Sequence, residues 1–179
     1  SLVYARALAA TGERVRAMLA LETLGCYSDE PGSQKYPAGL AKVLGFALPA
    51  KGNFVAIVGT PAARALAAEV TGLFRNGTAF PSVGGVAPGD IPGITWSDHW
   101  SFGQLGVPAV MLTDTAPFRY RHYHTPSDTP DKLDYERLAR DAEMLTRTTG
   151  ITAYAVPRSE QRDYLGTDFY HGGAVREDI

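Results

Sequence analysis

The sequence predicts an α/β domain with a mostly parallel or mixed sheet flanked by helices. Three observations carry that expectation. Apolar runs of strand length recur at 15–22, 53–59 and 107–114. Helical patterns alternate with them, most plainly at 60–77 and 134–153. Stretches rich in Gly and Pro separate the two kinds of segment.

Taken in order, residues 2–10 (LVYARALAA) are helix formers, and Thr11-Gly12 ends them. In VRAMLALE, 15–22, Val15, Ala17, Leu19 and Leu21 fall on one face. Met18 and Ala20 make the other face mostly apolar, the pattern of a strand covered on both sides. Glu22 closes it. Residues 28–39 hold two Pro and two Gly and read as a loop. NFVAIVG, 53–59, is a second buried strand. TPAARALAAEVTGLFRNG, 60–77, is a helix with Thr60 as cap, Pro61 at the first position and Asn76-Gly77 at the end. AFPSVGG, 79–85, reads as a short strand and 86–94 as loop. VPAVMLTD, 107–114, is the third strong strand. An irregular stretch, 114–132, holds His122 and His124. The last helix covers about 134–153, with Asp134 as cap and Leu138, Ala142 and Leu145 on one face. Residues 157–179 are polar, rich in Tyr and Gly, and carry no assignable element.

The chain of 179 residues is 45% hydrophobic and 20% charged, ordinary for one globular domain. A formal net charge of −2 gives no electrostatic reason to expect nucleic acid or an anionic membrane as partner. One cysteine, Cys26, makes neither an internal disulfide nor a cysteine-based zinc site. No apolar run is long enough to span a bilayer, and no basic-then-apolar signal segment is present. The opening SLVYARALAATGE reads as a helix without a cap, which points to a longer parent.

Ligands of open α/β sheets bind at the carboxyl ends of strands. Three features are expected there: Glu22, the pair Asp98 and His99 in WSDHWSF, and the loop RHYHTPSDT, 121–129. A carboxylate at one strand end and a histidine on a later loop make a sensible pair of zinc ligands. Plainer readings stand beside these. Glu22 is then a rim carboxylate, and Asp98 caps the turn after it. His122 is a solvated loop residue, His124 a hydrogen-bonded one, and Asp128 starts a turn. Cys26 reads as a small buried hydrophobe.

The segments LALETLGCYSDEPGSQKYP (19–37), SDHWSFGQLGVPAVMLTDTA (97–116) and YHTPSDTPDKLDYERLA (123–139) together resemble the later half of the zinc-dependent M28 peptidases. That is the aminopeptidase family which also embraces the glutaminyl cyclases. The resemblance implies a mixed sheet between helices, with two zinc ions held at the strand ends by five residues. It gives Glu22 the strand-closing acidic ligand, where many members have Asp. It gives His124 the final histidine, with each of the two on a different zinc. Tyr123 matches a tyrosine that donates to the substrate carbonyl oxygen in some members. Asp98 matches a polar residue of the inner site, and Asp98 or Asp128 would hold an imidazole's tautomer from behind.

The family's first His, its bridging Asp and its adjacent pair of glutamates, one of them the general base, have no counterpart here. The chain contains no Glu-Glu pair. By the resemblance, 1–156 form the C-terminal part of an M28-like domain and 157–179 a polar tail. The expected partners are a peptide substrate and a missing N-terminal half. Alone, the chain is expected to be inactive and to bind zinc weakly. The family's members are often exported, so a periplasmic or secreted location is expected. Two other functions remain open at this point: cyclisation of an N-terminal glutamine, and a non-catalytic binding module.

Overall fold

The computed structural model describes residues 1–40, 47–149 and 172–174. Helix α1 is Leu2–Ala10 and strand β1 is Met18–Leu21. Strand β2, Val55–Gly59, leads through a tight turn at Pro61–Ala63 into helix α2, Arg64–Gly77. Strand β3 is Ser82–Val86, helix α3 is His99–Gly103 and strand β4 is Ala109–Thr113. Helix α4 is Tyr135–Thr149, and strand β5 is Gly172–Ala174.

The strands form one sheet in the order β3-β2-β4-β1-β5. It is mixed. β1 with β4 and β2 with β3 are parallel, whereas β2 with β4 and β1 with β5 are antiparallel. Strand β5 lies within the tail that showed no element in the sequence. The remainder of 157–179, and the expected continuation of the last helix over 150–153, fall outside the described residues.

Helices cover both faces. On one, α2 and α4 bury Ala67, Val70, Phe74, Met144 and Leu145 against Val55, Ile57, Val110 and Leu112. On the other, α1 and α3 bury Ala5, Leu8 and Phe102 against Met18, Ala20 and Ala109. Strand β4 is buried along its whole length because both layers press on it. Strand β1 departs from the expected two-sided burial. Met18 and Ala20 are buried, but Leu21 is 40% exposed, since the strand's end emerges at the rim of the sheet.

Local details follow from chemistry. The Asp134 carboxylate accepts the Arg137 backbone N–H at 3.0 Å and caps α4 as expected. Thr60 makes no side-chain cap. The chain turns first through Pro61–Ala63, and the Thr60 carbonyl accepts the Ala63 N–H. Gly84 lets α2 approach β3 closely: a Cβ there would lie 2.6 Å from Thr71 Cγ2 and 2.8 Å from its Cβ.

Candidate active site at the strand ends

Strands β1 and β4 run parallel with Leu21 beside Leu112, so their carboxyl ends emerge together. The Glu22 N–H donates to the Leu112 carbonyl at 2.9 Å, and the Asp114 N–H donates to the Thr23 carbonyl at 2.7 Å. Glu22 is therefore held at a strand end, half-buried, as its place after an apolar strand implies.

Two residues that sequence reasoning passed over fix the loops around it. Asp114 is fully buried. Its carboxylate accepts the Cys26 N–H at 2.7 Å, the Ala116 N–H at 2.8 Å and the Thr23 hydroxyl at 3.0 Å. Burial pushes the carboxyl up, against the lowering effect of these bonds and of nearby Arg119. Arg119 spans further. Its Nε donates to Gln34 Oε1 at 2.7 Å and Thr115 Oγ1 at 3.1 Å. Its Nη1 donates to the Gly52 carbonyl at 2.7 Å, the Phe54 carbonyl at 3.2 Å and the Cys26 carbonyl at 3.3 Å. A polar residue ending a wholly apolar strand was the available signal for Asp114. Arg119 had none, because its partners lie between 65 and 93 residues away apart from Thr115. Cys26 is buried as expected, and burial with the Asp114 charge pushes its thiol up to about 12.

The loop 120–128 is a run of tight turns. The N–H groups of Tyr123, Thr125 and Asp128 donate in turn to the carbonyls of Tyr120, His122 and Thr125. The reading of His122 as a solvated neighbour needs correction. The residue is half-buried, and the Arg121 Nε–H donates to its Nε2 at 3.0 Å. That leaves the proton on Nδ1, which donates to Ser127 Oγ at 2.7 Å. His122 holds the loop together. Asp128 is placed differently from its expected role behind an imidazole: it accepts the Tyr120 hydroxyl at 2.8 Å. His124 is exposed, in the left-handed region with φ 55°, and its ring stacks on that of Tyr123.

Tyr123 and Glu22 both line one pocket, together with Thr23. Burial, then the negative charges of Glu22 and Asp114, raise the Tyr123 phenol above its usual value, so it stays protonated at neutral pH. The pocket floor is the half of the sheet that α1 and α3 leave open: Ala56, Val58, Val83, Met111 and Thr113. Its walls come from 34–40, 92–96 and 115–118.

Asp98 and His99 do not join this group. Asp98 is half-buried at the start of α3 and is not among the residues lining the pocket. His99 is buried beside Pro108 and Ala109, at the beginning of β4, the sheet end opposite Glu22. Its Nε2 donates to the Ile94 carbonyl at 2.7 Å, and burial lowers its basicity.

Glu22 and His124 offer oxygen and nitrogen donors of the kind zinc takes. Among the described residues, however, no three His, Cys, Asp or Glu side chains converge as a metal site would need. The donors are right in kind and short in number.

The fold is a mixed α/β sheet that places a carboxylate and a phenol in one pocket beside the ends of two parallel strands. The model of peptidase family M28 matches residues 3–149, and the chain belongs to that family. The chain is similar to YfbL of Escherichia coli (strain K12), an uncharacterised protein, with 38% identity over 133 residues. That alignment takes in 74% of this chain and 40% of YfbL, so the chain spans about two-fifths of the curated relative's length. No solved structure matches the chain.

Proposed function

We propose that the complete protein is a zinc-dependent aminopeptidase to which this chain contributes two metal ligands, Glu22 and His124, and one oxyanion donor, Tyr123. The observation that carries the reading is convergence. Glu22 and Tyr123, 101 positions apart in the sequence, share the rim of one pocket, and His124 stacks on Tyr123.

The chemistry divides between the halves of the domain. Zinc, when bound, makes its water acidic and polarises a carbonyl. This chain's residues bind and orient. Glu22 is fixed by the β1–β4 ladder, and the Tyr123 hydroxyl is available to donate to an oxygen that gains charge. The general base and the remaining ligands belong to the N-terminal half of the domain, the partner of this chain. The substrate is a peptide with a free amino terminus, and the location is periplasmic or secreted, as in many family members.

The test uses the complete protein. Zinc-dependent release of amino-terminal residues from peptides is expected, with Glu22→Gln and His124→Ala each lowering both zinc content and turnover. The isolated 179-residue chain is expected to show none. Undiminished zinc and turnover in both variants would overturn the ligand assignment. Turnover by the isolated chain at about 1–1,000 s⁻¹, the range of ordinary enzymes, would overturn the division of the site.

A further inference from the structure

The two segments that carry the site, one ending in Glu22 and the other holding Tyr123 and His124, meet at a single atom. Backbone pairing between the ends of β1 and β4 closes with the Asp114 N–H on the Thr23 carbonyl, 2.7 Å. The next residue, Thr115, takes a left-handed backbone with φ 59°, and the chain turns away from the sheet into Ala116–Phe118. Strand pairing therefore ends before Tyr123 is reached.

A side chain takes over where the strands part. Asp114 Oδ1 accepts the Thr23 hydroxyl at 3.0 Å and the Ala116 N–H at 2.8 Å. Thr23 directly follows Glu22. Ala116 begins a short relay: its carbonyl accepts the Tyr120 N–H at 2.8 Å, and the Tyr120 carbonyl accepts the Tyr123 N–H at 3.1 Å. One oxygen thus links the backbone beside Glu22 to that of Tyr123, although Thr23 and Asp114 are 91 positions apart. Oδ2 accepts the Cys26 N–H at 2.7 Å, so the carboxylate is held from three sides. Bonds to an ionised acceptor are short and strong, which makes this a stiff joint. Asp114 is fully buried and does not line the pocket, so it acts on the site only through these neighbours.

We propose that Asp114 is a positioning residue: its Oδ1 sets the spacing between Glu22 and the Tyr123–His124 pair, and with it the geometry those side chains offer to a metal. The proposal rests on the zinc reading of the site and adds to it a residue that touches neither metal nor substrate. Zinc takes oxygen and nitrogen donors within a narrow range of distances, so a ligand shifted out of place binds it less well. Removing a group that orients ligands from behind typically costs about 10–100-fold in metal affinity.

The test uses the complete protein. Thr23 is half-buried, and Thr23→Val removes the hydroxyl on Oδ1 while keeping the side chain's shape. Thr23→Ser keeps the hydroxyl, and Asp114→Ala removes the joint. Zinc affinity is measured by competition with a chelator, without substrate and well below each variant's Tm, where lost stability alone does not move it. Thr23→Val is expected to weaken zinc binding about tenfold, Asp114→Ala at least as much, and Thr23→Ser less than about twofold. In the metal-free protein, hydrogen exchange at the Asp114 and Ala116 amides is expected to quicken in Thr23→Val and not in Thr23→Ser. If Asp114→Ala does not fold, the two Thr23 variants decide. Zinc affinity unmoved in Thr23→Val, or lowered equally in both Thr23 variants, overturns the positioning role. When Glu22→Gln and His124→Ala nonetheless lose zinc, the ligand reading survives that failure. Full zinc binding in Glu22→Gln and His124→Ala sinks the ligand reading instead. The metal-free exchange then decides by itself whether Oδ1 joins the two segments: quickened exchange in Thr23→Val alone upholds the joint, and unchanged exchange overturns it.

Discussion

The rings of Tyr123 and His124 lie face to face, centroids 3.9 Å apart and planes at 16°. The neighbouring rings stack because His124 adopts a left-handed backbone, φ 55°. That conformation costs a non-glycine residue about 1–2 kcal/mol. An aromatic pair returns about 0.5–1.5 kcal/mol. Glycine at 124 would relieve the strain and lose the stack, and would add about 0.4–1 kcal/mol of unfolded-chain freedom. The three terms nearly cancel. His124→Gly is therefore expected to leave the Tm within a few degrees while zinc affinity of the complete protein falls. A large drop in Tm with zinc binding retained would mark His124 as a structural residue.

Tyr123→Phe removes one hydroxyl from the pocket rim and keeps the ring that stacks on His124. An oxyanion donor acts on the charge that develops during reaction, and losing one costs about 100–1,000-fold in kcat. The expected result is a fall of that order in kcat with KM little changed. A rise in KM at constant kcat would mean that the hydroxyl only binds the ground state.

The strand and helix order was legible in the sequence because burial leaves a periodic pattern. β2, β4, α2 and α4 lie within a few residues of the expected segments. The sheet's mixed directions were less so, since a run such as VPAVMLTD has the same composition whichever way its neighbour runs. The placement of Glu22 followed from a carboxylate ending an apolar strand. What the sequence hid was long-range polar bonding. Nothing in APFRYRH distinguishes Arg119, which ties five groups together, from exposed Arg121. Nor does His-Tyr-His reveal that His122 is bonded at both nitrogens while His124 is exposed.

Arg119 holds the pocket's walls. Gln34, Phe54 and Thr115 all line the pocket and all bond to its guanidinium. A lysine is a single point of charge and does not reproduce a planar fork. Hydrogen bonds to charged groups contribute about 1.5–3 kcal/mol each. Arg119→Lys is expected to lose at least two of them, lowering stability by about 3 kcal/mol or more in denaturant titration. In the complete protein it is also expected to raise KM for the peptide substrate. Unchanged stability would show that the bonds to Arg119 are dispensable.

Gly84 tests the contact between α2 and β3. An alanine methyl there meets Thr71 inside van der Waals distance, and Thr71 is buried with its hydroxyl donating to the Ala67 carbonyl. Overpacking of this kind typically costs about 1–3 kcal/mol. Gly84→Ala is expected to destabilise by that amount, and Thr71→Ala in the same chain to recover part of it by removing both the crowded hydroxyl and the crowded methyl. No loss in the single variant would show that the helix shifts freely on the sheet.

Asp141 gives the fold a pH dependence. It is 1% exposed on α4; one oxygen accepts the Tyr27 hydroxyl and the other has no partner. Burial, reinforced by the charges of Asp114 and Asp134, pushes its carboxyl up to about 6, with the Tyr27 bond opposing. The folded value lies above the ordinary 3.8, so the folded state binds the proton more tightly than the unfolded chain. The stability this contributes is fully present below about pH 4 and is lost as pH rises through about 6. The full span is about 3 kcal/mol, from 1.36 kcal/mol per pH unit. Asp141→Asn keeps an acceptor for Tyr27 and cannot ionise. It is expected to be more stable than the natural chain at pH 8 by about 1–2 kcal/mol, part of the span being offset by an unpaired amide. The advantage should vanish near pH 4, where the natural carboxyl is protonated. Parallel stability curves for the two proteins between pH 4 and pH 8 would show that Asp141 titrates no differently in the folded chain than in the unfolded one.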